Sequence, residues 1–102
     1  MGNYVCARPV HPGELLKDEV KSRGISQAKL ATQMGMSYKV LNDILNERRP
    51  LATTTAMLFE AALGIDSGLL MRMQLDYNIQ VVSQDKTFAQ RLAEIRKVAA
   101  VL

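Results

Sequence analysis

The stretch "SQAKLATQMGMSYKVLNDILNERRP", residues 26–50, decides the fold. It holds two apolar patterns with helical spacing, each too short to persist alone, joined across Met34-Gly35-Met36. Ser26 is placed to cap the first helix, with Ile25 and Leu30 as a hydrophobic staple. Ser37 repeats the device, with Met36 and Leu41 as its staple. Leu30, Ala31 and Met34 mark the inner side of one helix; Leu41, Ile44 and Leu45 mark that of the other. Helices this short form only by packing, so the two must pack on each other.

Counted from Gln27, the spacing fits a helix-turn-helix unit. Leu30, Met34, Met36, Leu41 and Ile44 fall where its small core needs apolar side chains, Ala31 where the helices cross closely, and Gly35 where the backbone turns. In such a unit the second helix enters the major groove of double-stranded DNA and the first touches the backbone. The outward residues of the second helix, Ser37, Tyr38, Lys39, Val40, Asn42 and Asp43, are therefore the candidates for base reading. Lys39 can donate to guanine, Asn42 can pair with adenine, and Tyr38 or Val40 can touch a thymine methyl. Asp43 repels phosphate, so it either pairs with Lys39 or reads cytosine. Gln27, Lys29, Arg48 and Arg49 are placed for phosphate. Two helices that cross without reading DNA, as a protein-interaction module, remain the alternative of a different class.

Helices extend outward from this centre. Pro12 suits a first helical position and Glu14 the positive end of a helix dipole, giving a helix from Pro12 to Arg23 with Leu15, Leu16 and Val20 inward and Gly24 as its stop. After the Arg48-Arg49-Pro50 loop, "TTTAMLFEAALG" reads as a fourth helix capped by Thr53, with Ala56, Phe59, Ala62 and Leu63 inward. Asp66 can cap a fifth through Leu69, Leu70, Met73 and Tyr77. The following "NIQVV" has strand-like composition, so residues 79–84 read equally as helix or extended chain. Asp85 or Thr87 starts a last helix, in which Phe88, Leu92, Ile95, Ala99 and Leu102 recur on one side.

The chain has 102 residues, enough for one core with little to spare. With no Trp, 5% aromatic residues and six Met, that core is aliphatic and suits helices. The balance of charge is local: Lys29, Lys39, Arg48 and Arg49 face only Asp43 and Glu47 in residues 26–50, whereas Arg72 faces Glu60, Asp66 and Asp76 in residues 51–80. The positive end coincides with the candidate reading helix. One cysteine, Cys6, cannot form an internal disulfide and reads as an incidental thiol. With no signal-like start and no apolar run of spanning length, the expectation is a cytoplasmic protein away from membranes. His11 is the only histidine and sits where capping is a sufficient role. No metal cluster, nucleophile pair or Gly-rich phosphate loop is visible, so neither an enzyme nor a cofactor is expected.

"HPGELLKDEV", "SQAKLATQMGMS", "LNERRPL" and "ALGIDSGLLMRMQLDYN" together resemble the HigA-type antitoxins, a branch of the Cro and lambda-repressor-like (XRE) helix-turn-helix family. The resemblance covers about residues 9 to 80 and rests on His11-Pro12-Gly13-Glu14, Arg49-Pro50-Leu51, Gln74 and Tyr77. It implies an all-α, five-helix lambda-repressor-like DNA-binding domain (1–80) followed by a C-terminal helical extension (81–102). It also implies a homodimer that represses its own operon and silences a cognate mRNA-endonuclease toxin; a stand-alone repressor is the near alternative. Leu70, Ala52 and Gly68 depart from the family pattern, which commonly has Trp, a capping Thr and an acidic residue there. The apolar surface of Leu69, Leu70, Met73, Phe88, Leu92 and Ile95 is expected to build the dimer.

Overall fold

In the computed structural model, which describes residues 10–102, the chain folds into six α-helices with no strand among the described residues. They are α1 (Pro12–Ser22), α2 (Gln27–Met34), α3 (Tyr38–Leu45), α4 (Thr53–Leu63), α5 (Ser67–Ser83) and α6 (Lys86–Ala99). Cys6 lies outside the described residues.

The punctuation follows the side-chain chemistry. Ser26 accepts from the Lys29 amide, Ser37 from that of Val40, Asp66 from that of Leu69 and Asp85 from that of Phe88. Gly24 and Gly35 take the left-handed conformation, with φ of 65° and 68°. At the end of α1, Arg23 occupies the cap and Gly24 follows it.

Two expectations are corrected, and one left open is resolved. Helix α4 starts at Thr53 with Ala52 in the capping position, and no side chain caps it. Leu51 is the cause: it is buried in the core and its amide is held by Gln74, so tertiary anchoring sets the start of the helix ahead of Thr53. Ala62 is exposed, since Ala56, Phe59 and Leu63 already fill the inner side of α4. Residues 79–83 are helical, because no glycine or proline interrupts α5 and each added residue gains a backbone hydrogen bond. The boundary expected at residue 80 therefore falls inside a helix.

The core joins all of α1 to α5: Leu16 and Val20 from α1, Leu30, Ala31 and Met34 from α2, Leu41, Ile44 and Leu45 from α3, Leu51, and Ala56, Phe59, Leu63 and Leu70 beyond. Helix α2 packs on α3 and α4, while α1 packs on α3 and α5. The N-terminal turn of α1 meets the C-terminal end of α3 so closely that a Cβ at Gly13 would overlap the Ile44 carbonyl oxygen. Arg23 ties the far end of α1 to α4 by donating to the Leu63 carbonyl at 2.8 Å. Helix α6 packs on α5 and buries none of its residues. The molecule is correspondingly elongated, 57 × 29 × 20 Å. No helix of the described residues is long and apolar enough to cross a membrane.

Candidate nucleic-acid interface

Helix α3 is amphipathic in its eight residues. Leu41, Ile44 and Leu45 face the core, Val40 is half-buried against it, and Tyr38 and Lys39 stand in solvent. Its exit is unusual. The Arg48 amide donates to the Asp43 carbonyl at 2.8 Å and the Glu47 amide to that of Ile44 at 3.1 Å, the paired bonds of a Schellman ending. Glu47 occupies the left-handed position with φ 64°, where glycine is the usual residue. This sharp turn sends Arg48 and Arg49 back alongside α3.

Asp43 is the centre that results. Its carboxylate meets Lys39 Nζ at 3.0 Å, Arg48 Nε at 3.3 Å and Arg49 at 3.7 Å. The Asp43 side chain is only 12% exposed, while those of Lys39, Arg48 and Arg49 are 80%, 60% and 47% exposed. Arg48 also donates to Asn42 Oδ1 at 2.9 Å, so it bridges two residues of α3. The Lys39 hydrogen bond, with the charges of Lys39 and Arg48, holds the Asp43 carboxyl below its ordinary range against the opposing effect of desolvation.

Two side chains from outside the helix pair fix the loop. Gln74 of α5 is buried; its Oε1 accepts from the Leu51 amide at 2.8 Å and its Nε2 donates to Asn78 at 2.8 Å. His11 is buried at the start of α1, where Nδ1 accepts from the Gly13 amide at 2.8 Å and the ring meets Tyr77 edge-on at 4.9 Å. Burial lowers its pKa, partly offset by the charge of Glu47 and a hydrogen bond with the Arg49 backbone. The loop of cations is thus held by α1 and α5 as well as by α3.

The candidate residues divide on this geometry. Lys39, Asn42, Asp43, Arg48 and Arg49 form one network. Tyr38 is free-standing at 53% exposure, and Ser37 uses its oxygen as the α3 cap. Lys29 is exposed on α2. Gln27 differs from the other phosphate candidates: its amide nitrogen is buried without a hydrogen-bond partner, so it is not offered to solvent. Asp43 likewise sits behind the cations and not on the open face. Among the expected dimer residues, Leu70 is fully buried in the core of its own chain and is withdrawn from any second one. Leu69, Phe88 and Ile95 are exposed, and Met73 and Leu92 are half-buried.

Sequence reasoning missed the triple pairing of Asp43, the left-handed Glu47 and the close approach at Gly13. Spacing carries a signal only for Lys39–Asp43, four residues apart on one helix. The turn that returns Arg48 and Arg49 has no glycine to announce it.

The helix-turn-helix family matches residues 16–70, more than half of the chain. Virulence-associated protein I of Dichelobacter nodosus is 33% identical over 78 residues, which span 76% of this chain and 72% of that protein. The Pseudomonas aeruginosa antitoxin HigA, solved with the higBA promoter, superposes with a TM-score of 0.74 at 29% identity, covering 80% of this chain and 90% of that one. The antitoxin GraA superposes with a TM-score of 0.74 at 29% identity, covering 90% and 95%. The chain therefore belongs to the helix-turn-helix family, in its HigA-type antitoxin branch.

Proposed function

We infer that the chain is a sequence-specific DNA-binding antitoxin that represses its own operon and neutralises a partner mRNA-endonuclease toxin. The observation that carries the reading is the outward face of α3: Lys39 and Asn42 stand beside Arg48 and Arg49, with Tyr38 exposed on the same helix, in the helix-turn-helix of a chain whose structural relatives include antitoxins, one solved with the higBA promoter. Lys39 and Asn42 supply the donors and acceptors that base edges require, Ser37 and Tyr38 stand beside them, and Val40 adds an apolar edge. Lys29, Arg48 and Arg49 supply charge for the flanking phosphates.

A homodimer accounts for the other end of the molecule. Helix α6 has 14 residues and none is buried, too little to hold a helix of that length in water. Between α5 and α6 lies an open apolar groove of about 370 Å³, lined by Ile79, Val82, Phe88 and Leu92 among others. Pairing of two copies through α5 and α6 covers this surface, with Leu69, Met73, Phe88, Leu92 and Ile95 in or near the contact. Two recognition helices about 34 Å apart then match one turn of DNA.

Binding to a duplex covering the region upstream of the reading frame, measured over a salt series, tests the reading. Three phosphate-facing cations in each chain, Lys29, Arg48 and Arg49, make about six contacts per dimer and a log–log slope of about −5. Salt-insensitive binding, or none, refutes it in favour of a protein-interaction module. Removal of residues 85–102 is expected to leave a monomer in sedimentation and to weaken the duplex complex; a truncated chain that remains fully dimeric refutes the assignment of α6. A neighbouring frame for a small basic ribonuclease-like protein, whose toxicity co-expression of this chain relieves, distinguishes an antitoxin from a stand-alone repressor.

A further inference from the structure

Three of the cations expected to meet DNA, although exposed, share one recessed carboxylate. Lys39 and Arg48 reach Asp43 at 3.0 and 3.3 Å, and Arg49 at 3.7 Å. Lys39 approaches along α3, whereas Arg48 and Arg49 arrive from the turn after it, so one anion gathers charge from two segments of backbone. Arg48 extends the cluster to Asn42, whose Oδ1 it holds at 2.9 Å. We propose that Asp43 is a specificity-determining positioning residue, an internal counter-anion that orients Lys39, Arg48 and Arg49 and competes with DNA phosphate for them. The proposal rests on the DNA-binding reading above.

Arbitrary and matched DNA return different contacts to these cations. Attachment to arbitrary sequence draws on phosphate contacts alone. Each arginine that turns to a phosphate must loosen its contact with Asp43, so part of the attraction is spent in exchanging one anion for another. At a matched site Lys39 and Asn42 dock on base edges in the arrangement that Asp43 already holds, so less of this exchange is needed. Asp43 therefore lowers affinity most for duplexes on which the cluster must rearrange to reach phosphate. Its recessed position suits this role: at 12% exposure it is screened from DNA by the cations it holds, and its own repulsion of phosphate acts through them. The hold on Asn42 has a second effect. With Oδ1 engaged by Arg48, the amide is presented in one orientation before DNA arrives.

The test uses the full chain, a duplex from upstream of its reading frame and a scrambled duplex of equal length and composition. Asp43→Asn removes the charge and keeps the shape. It is expected to raise affinity for the scrambled duplex about tenfold, to change that for the upstream duplex less than about threefold, and to steepen the scrambled-duplex salt slope by about one. Asp43→Glu, which restores the charge, is expected to keep the wild-type preference within about threefold. A merely structural role would weaken both complexes alike and leave the slope unchanged. Equal preference in wild type and Asp43→Asn overturns the proposal, as does loss of preference in Asp43→Glu equal to that in Asp43→Asn. If Asp43→Asn fails to fold by circular dichroism, Asp43→Ser carries the same comparison. Failure of the wild type to bind either duplex overturns the function and this inference together; binding with an unchanged ratio overturns the inference alone.

Discussion

Replacing Gln74 by Leu tests whether α5 holds the cationic loop in place. Gln74 is 4% exposed, and its Oε1 is the acceptor for the amide of Leu51, itself 2% exposed. Leu fills a similar volume but accepts nothing, so a buried N–H loses its partner. An unsatisfied buried donor costs about 1–3 kcal/mol. Asn78, the other partner, is exposed and turns to water at little cost. Taking about 2 kcal/mol, and about 4–8 °C per kcal/mol for a domain of this size, thermal unfolding should fall by about 8–16 °C. Amide hydrogen exchange locates the effect: Leu51 should lose protection while Leu41 and Ile44 of α3 keep theirs relative to global unfolding. Because Leu51 follows Arg48, Arg49 and Pro50 directly, DNA affinity should fall as well at a temperature where the variant is folded. A melting temperature within a degree of wild type, with the Leu51 amide still protected, would show that Gln74 does not anchor the loop.

Gly13→Ala should destabilise by about 1–3 kcal/mol, since its Cβ meets the Ile44 carbonyl and α1 must withdraw from α3; chemical denaturation measures this, and an unchanged midpoint shows that the two helices are not in close contact. His11 excludes a proton in the fold that it accepts when unfolded, because burial lowers its pKa and its Nδ1 already accepts from Gly13. Its contribution is complete above about pH 6.5, the unfolded value, and is lost as pH falls from there through the folded value. Urea midpoints at pH 7.5 and 5.5 should therefore differ, and His11→Asn, which can still cap, should flatten the difference. Lys39→Ala should cost about 1–3 kcal/mol of binding and relax preference at a single base position in a selection experiment; equal weakening on all sequences would make Lys39 a phosphate contact instead.

The local signals in the sequence were sufficient for most of the helical frame. Ser26, Ser37 and Asp66 carry their own capping oxygens, and Gly24 and Gly35 pay no steric cost for a left-handed turn, so each marks its boundary without help from the rest of the chain. The apolar spacing of residues 30–45 likewise determines which sides of α2 and α3 face each other. At Ala52 and Thr53 local chemistry was overruled, because the burial of Leu51 fixes the path of the chain there. Leu70 was legible as apolar but not as core, since only the packing of α5 on α4 decides which apolar residues of a long helix are left for a partner. The functional face divides in the same way. Periodicity placed Tyr38, Lys39 and Asn42 on the outer side of α3, and tertiary structure alone set what surrounds them. The turn at Glu47, secured by His11 and Gln74, folds Arg48 and Arg49 back onto Asp43. A helix carries its own hydrogen bonds and so can be read from neighbours three or four residues apart, whereas the charge network depends on where separate segments meet, and only the packed core determines that.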